Sequence, residues 1–398
     1  MSIIERAKLR YAQDGLLGLA SALKWRLVVN SNPNLAYWRM VSSRPYNKLS
    51  QVLPGGAAIC ITEACNLACS YCARSTVPPV GDMSFSSYKR LVKSLWWCRR
   101  NINIIGLGEQ LLHPEIVEIL EWTMHERKIP VTLSTNGMVD LEKNERLTEL
   151  LLDCRQIQFS IDTTNELLLN KIRTGANFRR IERNLAFFLD EKKKRIDSGS
   201  HAPIVNINSV LTAETFFGML DLIKYAASLG LELDYLQLNS VTLADYQHAH
   251  APLFGTKRES FIRHRDEAID YVQSHKRLCL AKNDRDFLRL RRRNRGKLII
   301  LGLVPDRILT APTSWSQCRS IYSGSGIRPN GDIYICCYRP DLKLGNAFTD
   351  NFLAAWNGPV ARSFREQVLT DNPPACCPTC NFAYEGTYPR WAPNMPMR

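Results

Sequence analysis

The sequence predicts an α/β fold in which a partial (β/α)6 TIM-like barrel is followed by a small cysteine-rich unit. Between about residues 57 and 240, short apolar segments typical of buried strands alternate with longer segments of helical periodicity. Such alternation indicates parallel strands joined by crossover helices. Six strands are too few for a closed eight-stranded barrel but suit a partial one, with its chemistry at the carboxyl ends of the strands. The predicted strands are AAICIT, NIIGLG, PVTLST, IQFSID, IVNINSVLT and LDYLQLNSV.

Three further segments surround this core domain of residues 57–240. Residues 1–56 form a predicted helical extension, because LLGLASALKWRLVV carries apolar residues at helical spacing. That helix packs on the core domain or lies along a membrane surface. Residues 241–310 form a predicted basic helical insert that contains RDFLRLRRRNRGK. This run is a solvated helix face or an anion-binding patch, and Phe287 as its only aromatic residue gives little support to nucleic-acid binding.

Residues 311–398 form a predicted small α+β domain that is rich in Cys, Gly, Pro and Trp. The stretch RPNGDIYICC predicts a hairpin with Asn-Gly at the turn. A small cysteine-rich unit rarely has enough apolar core of its own, so we expect it to depend on a bound metal for stability.

The composition indicates which kinds of partner the protein binds and in which cellular compartment it is expected. The 398 residues carry a formal net charge of +14, which favours anionic partners such as nucleic acid, an anionic membrane surface or an acidic redox protein. No apolar run is long enough to span a bilayer, and MSIIERAKLRYAQDG lacks the pattern of a signal peptide, so we expect a cytoplasmic protein. Disulfides rarely persist there, so clusters among the 13 cysteines point to metal or redox chemistry.

The stretch CNLACSYC places Cys65, Cys69 and Cys72 directly after the first predicted strand. Thiolates are the ligands of iron–sulfur clusters, and three of them leave one position of a four-iron cube open. Catalytic zinc sites keep an open position for the same reason. Zinc is the competing interpretation, but it would want a fourth ligand at short spacing, and neither Cys nor His occurs between Cys72 and Cys98.

The spacing C-x3-C-x-aromatic-C resembles the signature of the radical S-adenosylmethionine (SAM) enzymes, and the similarity extends over about residues 57–240. IGLGEQLLHPE resembles the family's "GGE" segment with Leu107 in place of the first glycine, TLSTNG its third-strand motif, and SIDTTNELLLNKIR its fourth-strand "SID…R" segment. The resemblance implies that the three cysteines hold a [4Fe–4S] cluster whose fourth iron binds SAM. One electron then cleaves SAM to a 5′-deoxyadenosyl radical, which abstracts hydrogen from the substrate.

The resemblance also implies roles for residues around the bound SAM. A carboxylate would accept hydrogen bonds from the methionine ammonium, and an arginine would bind the methionine carboxylate with two donors. The alternatives are a solvated loop acid, a surface arginine and ordinary strand serines. The residues are Tyr71 near the adenine, Gly108 and Glu109 in the "GGE" segment with Glu109 on the ammonium, Ser134 and Asn136 on the third strand, and Ser160 and Arg173 at the carboxylate.

A second cysteine set resembles the SPASM/Twitch extension of the same family, including its "LGN…W" connector. The implied ligands of an auxiliary [4Fe–4S] cluster are Cys318, Cys336, Cys377 and Cys380. Because no cysteine follows Cys380, the pattern fits the shorter Twitch form with one auxiliary cluster. Two alternatives stay open: Cys337 and Cys376 as ligands in place of their neighbours, and a four-cysteine zinc ribbon.

These features predict an oxidoreductase-type radical SAM enzyme that dehydrogenates, epimerises or otherwise modifies an organic substrate. We expect a small molecule such as a sugar or aminocyclitol, and a reducing partner such as flavodoxin or ferredoxin. Cys154 and Cys279 are candidate hydrogen donors for an epimerisation, with buried core thiols as the alternative. The competing functions are modification of a peptide, RNA or lipid, and non-catalytic electron transfer.

Overall fold

The structure, a computed structural model, describes most of the chain between residues 56 and 368. The predicted N-terminal extension, most of the basic run RDFLRLRRRNRGK, and Cys318, Cys377 and Cys380 lie outside the described residues. The described residues are 56–75, 77–95, 98, 101–212, 214–230, 232–240, 258–281, 290, 296–302, 321, 324–336, 339–368 and 374.

The described strands form one large sheet and one small two-stranded sheet. Their order in the large sheet is β13-β12-β11-β1-β3-β4-β5-β7-β8-β10-β9, and β2 pairs with β6. The strands are β1 Gly56–Ile59, β2 Ala68–Cys69, β3 Ile102–Ile104, β4 Val131–Thr135, β5 Gln156–Ser160, β6 Arg173–Thr174, β7 Ile204–Leu211, β8 Tyr235–Ser240, β9 Leu278–Ala281, β10 Leu298–Leu301, β11 Gly324–Ile327, β12 Asp332–Tyr334 and β13 Lys343–Asn346.

Helices lie between the strands of the core domain, as the alternation predicts. Short polar side chains begin several of them; the Asn177 side chain, for example, accepts a hydrogen bond from the backbone N–H of Arg180 at 2.8 Å. None of the described helices is both long and apolar enough to cross a bilayer. The helices are α1 Phe85–Ser94, α2 Ile116–Glu121, α3 Glu145–Asp153, α4 Glu166–Ile172, α5 Phe178–Asp197, α6 Met219–Ser228, α7 Arg258–Ser274, α8 Phe352–Trp356 and α9 Pro359–Val368, with a π-helical turn at Trp122–Glu126.

The six predicted strands of the core domain are confirmed as β1, β3, β4, β5, β7 and β8, which pair in that order and all in parallel. One face of this sheet is apolar and packs against the helices: Phe159 and Phe188 lie with ring centroids 5.9 Å apart, joining β5 to α5. The opposite face, here called the inner face, carries the alternate residues. The fold is therefore an α/β partial barrel, as predicted.

The predicted helical insert contains more than helix. Its described residues include β9 and β10, which extend the parallel sheet beyond β8. The apolar runs LCLA and LIIL form these strands because the exposed edge of β8 offers unpaired backbone groups beside an apolar core. The described part of the predicted basic helical insert thus contains two strands as well as the helix α7.

The C-terminal hairpin forms where the Asn-Gly turn predicts it. β11 and β12 pair antiparallel, and Gly331 adopts a φ of +88°, a conformation that favours glycine. β11 also pairs in parallel with β1, from Gly56 opposite Gly324 to Ile59 opposite Ile327. The described part of the cysteine-rich segment is thus continuous with the core sheet.

Candidate metal centre and cofactor site

The three-cysteine stretch lies in a closed loop at the carboxyl end of β1. Backbone hydrogen bonds join Met83 N to Ile61 O at 2.8 Å and Glu63 N to Gly81 O at 3.2 Å, so the two ends of the loop meet. We call residues 63–81 the cysteine loop. Its cysteines, Cys65, Cys69 and Cys72, are free thiols and only partly buried. The loop follows β1 at its carboxyl end, which is the side of the sheet where chemistry is expected.

A short pair of strands anchors the middle of the cysteine loop. β2 pairs antiparallel with β6, with Cys69 opposite Arg173, and Ser70 N donates to Ile172 O at 2.8 Å. The backbone of Cys69 is therefore held by the segment that follows α4. This arrangement brings the "SID…R" segment to the cysteines, as the sequence predicts.

Burial disfavours the free thiolate form at two of the three cysteines. Burial is the main cause that raises the pKa of Cys69 to about 11; Arg173 opposes the rise, and Cys72 and Cys65 contribute to it. Burial also raises the pKa of Cys72. A metal centre that binds thiolate would overcome this cost by releasing the protons.

Within the described ranges, no group of three His, Cys, Asp or Glu side chains is placed to hold a single metal ion. The thiolates of a four-iron cluster each bind a different iron and need not converge on one point.

Arg173 and Tyr71 converge on Asp162, a residue that the sequence analysis did not assign. Arg173 Nε and Nη2 donate to the Asp162 carboxylate at 2.7 and 2.9 Å, and Tyr71 OH donates to it at 2.6 Å. Val210 N adds a fourth donor at 2.8 Å. Asp162 and Arg173 are 1% and 7% exposed, so the surface alternative for Arg173 does not hold. The signal was present in the sequence, because Asp162 is the aspartate of the "SID…R" segment.

Glu109 is buried at the carboxyl end of β3, at 3% exposure, and is not a solvated loop acid. Its Oε2 accepts from Asn136 N at 2.6 Å and its Oε1 from Leu111 N at 3.2 Å. Burial raises the pKa of Glu109 to about 7, against the opposing effect of these two backbone donors. A ligand cation would stabilise the ionised form of this carboxylate.

Gly108 allows two loops to approach each other closely. A Cβ at this position would lie 2.7 Å from Ala64 O and closer still to Thr62 O, so a larger residue does not fit. Gln110, which the sequence analysis did not single out, stabilises the same contact between the segment at Gly108 and the residues that follow β1. It accepts from Ile61 N at 2.9 Å and donates to Thr62 O at 3.1 Å. The "GGE" segment is therefore held against the start of the cysteine loop.

The remaining predicted cofactor residues lie near the carboxyl ends of β4 and β5. Asn136 Nδ2 donates to Asn66 Oδ1 at 2.7 Å, which ties the end of β4 to the cysteine loop. Ser134 Oγ lies 3.4 Å from Gln158 Oε1 across the inner face, and Ser160 is partly buried on the same face of β5. The structure thus brings the predicted cofactor residues together around the loop.

The two candidate hydrogen donors lie in different environments. Cys154 is fully buried in the apolar core and precedes β5, so it lies at the opposite end of the strand from the cysteine loop. Cys279 lies on β9 opposite Ile299 of β10, and Ile299 lies opposite Tyr235 of β8. Cys279 therefore shares the inner face with the site, whereas Cys154 matches the core-thiol alternative.

Of the four predicted auxiliary ligands, the structure describes Cys336. It follows β12, is a partly buried free thiol, and packs against the main apolar core. The choice between Cys336 and Cys337, and between Cys376 and Cys377, therefore stays a prediction.

Comparison with known protein families identifies both units. Residues 59–208 match the Radical SAM superfamily, and residues 318–381 match the SPASM iron–sulfur cluster-binding domain. The chain carries a radical SAM domain followed by a SPASM domain. The radical SAM match runs from Ile59, the last residue of β1, through the cysteine loop to Asn208 in β7, and the SPASM match begins at Cys318.

Individual relatives support the same assignment. A probable GTP 3′,8-cyclase of Methanococcus aeolicus is 28% identical over 189 residues, 46% of this chain and 59% of that protein. A tungsten-containing aldehyde ferredoxin oxidoreductase cofactor-modifying protein of Pyrococcus furiosus is 26% identical over 180 residues, 43% of this chain and 48% of that protein. The radical SAM chain thus spans about half the length of these curated relatives.

Solved structures show the same fold. SuiB of Streptococcus suis bound to S-adenosylmethionine superposes with a TM-score of 0.59 at 17% identity, covering 92% of this chain and 84% of SuiB. SuiB bound to its precursor peptide SuiA gives a TM-score of 0.54 at 18% identity over 79% and 67% of the two chains.

The two domains establish the cofactors of the radical SAM chain: a [4Fe–4S] cluster with SAM, and an auxiliary iron–sulfur centre. The donor set fits, because three partly buried thiols share one closed loop beside a buried carboxylate. When bound, these cofactors supply a one-electron reductive cleavage of SAM. The described residues hold the loop closed, orient its cysteines and keep Glu109 away from water.

Proposed function

We propose that this protein reductively cleaves SAM at the cysteine loop and abstracts hydrogen from a small polar substrate on the inner face of the barrel. The observation that carries the proposal is the closed loop of three partly buried thiols beside the buried Glu109 carboxylate. Cys65, Cys69 and Cys72 would hold the cluster, and Glu109 would bind the methionine ammonium. The Arg173 guanidinium, fixed through Asp162, would present its remaining Nη1 to the methionine carboxylate.

Uncharged polar side chains on the inner face favour a substrate such as a sugar or aminocyclitol. Gln237 Nε2 donates to Asn239 Oδ1 at 3.1 Å, and Asn239 Nδ2 donates to Asn208 Oδ1 at 2.7 Å. Asn206 is fully buried on the same face, and among the described residues its Nδ2 has no hydrogen-bond partner. Amide groups donate to and accept from hydroxyls, so a row of them suits a ligand with several hydroxyl groups.

Cys279 is the candidate hydrogen donor that the fold leaves on the inner face. An epimerisation needs a donor that returns hydrogen to the substrate radical from the other side, and a thiol has this capacity. Cys279→Ala would stop the return of hydrogen and leave substrate-dependent SAM cleavage in place. Incorporation of deuterium from D2O into the product would report the difference, with Cys154→Ala as the control that retains it.

The cofactor chemistry is tested by anaerobic reconstitution with iron, sulfide, SAM and dithionite. We expect 5′-deoxyadenosine from the wild-type protein and none from the variant in which Cys65, Cys69 and Cys72 are all replaced by alanine. Cys98→Ala is the matched control, since Cys98 is a buried free thiol outside the cysteine loop. Zinc at the three cysteines of oxygen-protected material would contradict the proposal.

The substrate class is tested by the rate of SAM cleavage in the presence of added compounds. A sugar or aminocyclitol that raises the yield of 5′-deoxyadenosine supports the proposal. Stimulation by peptides or by bulk tRNA instead would identify one of the competing functions. An electron carrier with no SAM site would bind no SAM in equilibrium dialysis.

A further inference from the structure

A buried ion pair joins the cysteine loop to the C-terminal segment. Arg328 Nε and Nη2 donate to Glu63 Oε1 and Oε2 at 2.8 and 2.9 Å, across a sequence separation of 265 residues. Glu63 is 1% exposed and Arg328 is 7% exposed. Two parallel donors on one carboxylate give the pair a defined orientation as well as strength.

The same pair reaches the far end of the loop. Arg328 Nη2 donates to Pro78 O at 2.7 Å, and Glu63 Oε2 accepts from Val80 N at 2.8 Å. Glu63 precedes Cys65, whereas Pro78 and Val80 follow Cys72. All three cysteines therefore lie between the points that the ion pair holds together.

The hairpin of the C-terminal segment determines where Arg328 lies. Arg328 directly follows β11; its N–H donates to Asp332 O at 2.9 Å and its carbonyl accepts from Gly331 N at 2.9 Å. Ile327 O, one residue earlier, accepts from Cys60 N at 2.9 Å. The guanidinium can reach Glu63 only when β11 is paired with β1.

We propose that Arg328 is a positioning residue for the first cluster, a role that rests on the proposed function of the cysteine loop. By holding both ends of the loop, it fixes the relative positions of Cys65, Cys69 and Cys72. Arg328 lies between Cys318 and Cys336, so the segment that supplies the auxiliary ligands also shapes the first cluster site. The first site is then complete only when the C-terminal segment is folded onto the core sheet.

The first test measures hydrogen–deuterium exchange in the metal-free, full-length chain. Arg328→Met removes the donors to Glu63 and Pro78, and we expect exchange across residues 63–81 to become at least about tenfold faster, because a buried carboxylate without its partner destabilises the closed loop. Lys343→Met is the matched control: Lys343 lies on β13, which pairs with strand β12 of the hairpin, and it is 54% exposed and pairs with Asp332. Exchange in the cysteine loop should not change in this control.

The second test measures iron content and SAM affinity after anaerobic reconstitution. We expect Arg328→Met to load less iron than wild type and to bind SAM at least about tenfold more weakly, whereas Lys343→Met matches wild type. Arg328→Lys keeps the charge, but an ammonium lacks the planar donor set with which the guanidinium binds Glu63 and Pro78 at once. We therefore expect this variant to restore iron content and SAM affinity only in part. If Arg328→Met fails to fold, Arg328→Lys is compared with wild type by the same measurements.

Two results would overturn the proposal. One is exchange in the cysteine loop that does not differ from wild type. The other is faster exchange with unchanged iron content and SAM affinity, since the ion pair would then serve folding alone. A wild-type protein that bound no SAM would instead contradict the proposed function, and the exchange result on metal-free protein would distinguish the two failures.

Discussion

At the scale of single residues, the site depends on buried charges that are paired with one another away from water. Asp162 accepts hydrogen bonds from Arg173, Tyr71 and Val210, which belong to three different parts of the chain. Such a pair contributes little when intact but is costly to break, because the remaining charge has neither water nor a partner. Asp162 therefore links the cysteine loop, the end of α4 and the end of β7.

Asp162→Asn should lower the free energy of unfolding by about 3 to 5 kcal/mol, because it leaves the Arg173 guanidinium buried without its counter-charge. Urea denaturation of the metal-free protein would measure the change. Asp190→Asn is the control, since Asp190 pairs with Lys194 while 60% exposed and should have no measurable effect. Equal stability of the two variants would show that Asp162 does not link these segments.

If Glu109 binds the methionine ammonium as proposed, SAM binding should depend on pH. Its pKa of about 7 lies above the usual range, so below pH 7 the carboxyl group is protonated and gives the methionine ammonium no counter-charge. The affinity should rise by up to about tenfold per unit as the pH approaches 7 and level off above it. Equilibrium dialysis between pH 6 and 8.5 would show this dependence in the wild-type protein. Glu109→Gln should bind weakly at every pH, and a pH-independent wild-type affinity would contradict the assignment.

At the scale of elements, the site is made by loops that follow neighbouring strands. The loop after β1 and the loop after β3 meet at Gly108, while Asn136, after β4, reaches Asn66 in the cysteine loop. Because parallel strands bring their carboxyl ends to one edge of the sheet, segments distant in sequence converge there. The stability of the site thus depends on backbone and side-chain contacts between loops.

Gly108→Ala should disrupt this meeting of loops, because the added methyl group would overlap the carbonyl oxygens of Thr62 and Ala64. We expect a loss of stability of about 1 to 3 kcal/mol or more, and faster alkylation of Cys65 in metal-free protein. Gly218→Ala is the matched control, since its methyl group would lie 3.3 Å from one side-chain oxygen, that of Thr163. Unchanged alkylation in Gly108→Ala would contradict the close approach.

At the scale of the whole molecule, the described part of the SPASM segment belongs to the same sheet as the radical SAM core. β11 pairs with β1, so the strand that leads into the cysteine loop is a central strand of the sheet and not an edge. The C-terminal segment is thereby held against the core by backbone hydrogen bonds as well as by Arg328. We expect the two cluster sites to be separable by cysteine replacement but not by removal of either domain.

Iron analysis tests the presence of two cluster sites. We expect about eight irons per reconstituted wild-type chain, and about four after alanine replaces Cys65, Cys69 and Cys72 together, from the four-iron stoichiometry of each cluster. Colorimetric iron and sulfide counts on the same samples would measure this. Cys154→Ala should retain the full complement, because Cys154 lies in the apolar core. About four irons in the wild type would rule out one of the two clusters.

The sequence by itself determined the features that depend on residues close together along the chain. Periodicity located the six core strands, spacing identified the cysteine loop, and Asn-Gly located the C-terminal hairpin. These features are local because backbone geometry repeats within a few residues and adjacent cysteines can share one cluster. The sequence also pointed to Glu109 and Arg173, since their motifs have a recognisable order.

Only the tertiary structure decided which distant residues meet. It paired Arg173 with Asp162 and Arg328 with Glu63, joined β9 and β10 to the core sheet, and buried Cys154 in the apolar core before β5. The physical reason is that the local sequence around a charged residue or a cysteine does not indicate which distant residue it will contact. Burial, strand order and loop closure select that partner, and they arise only when the whole sheet is assembled.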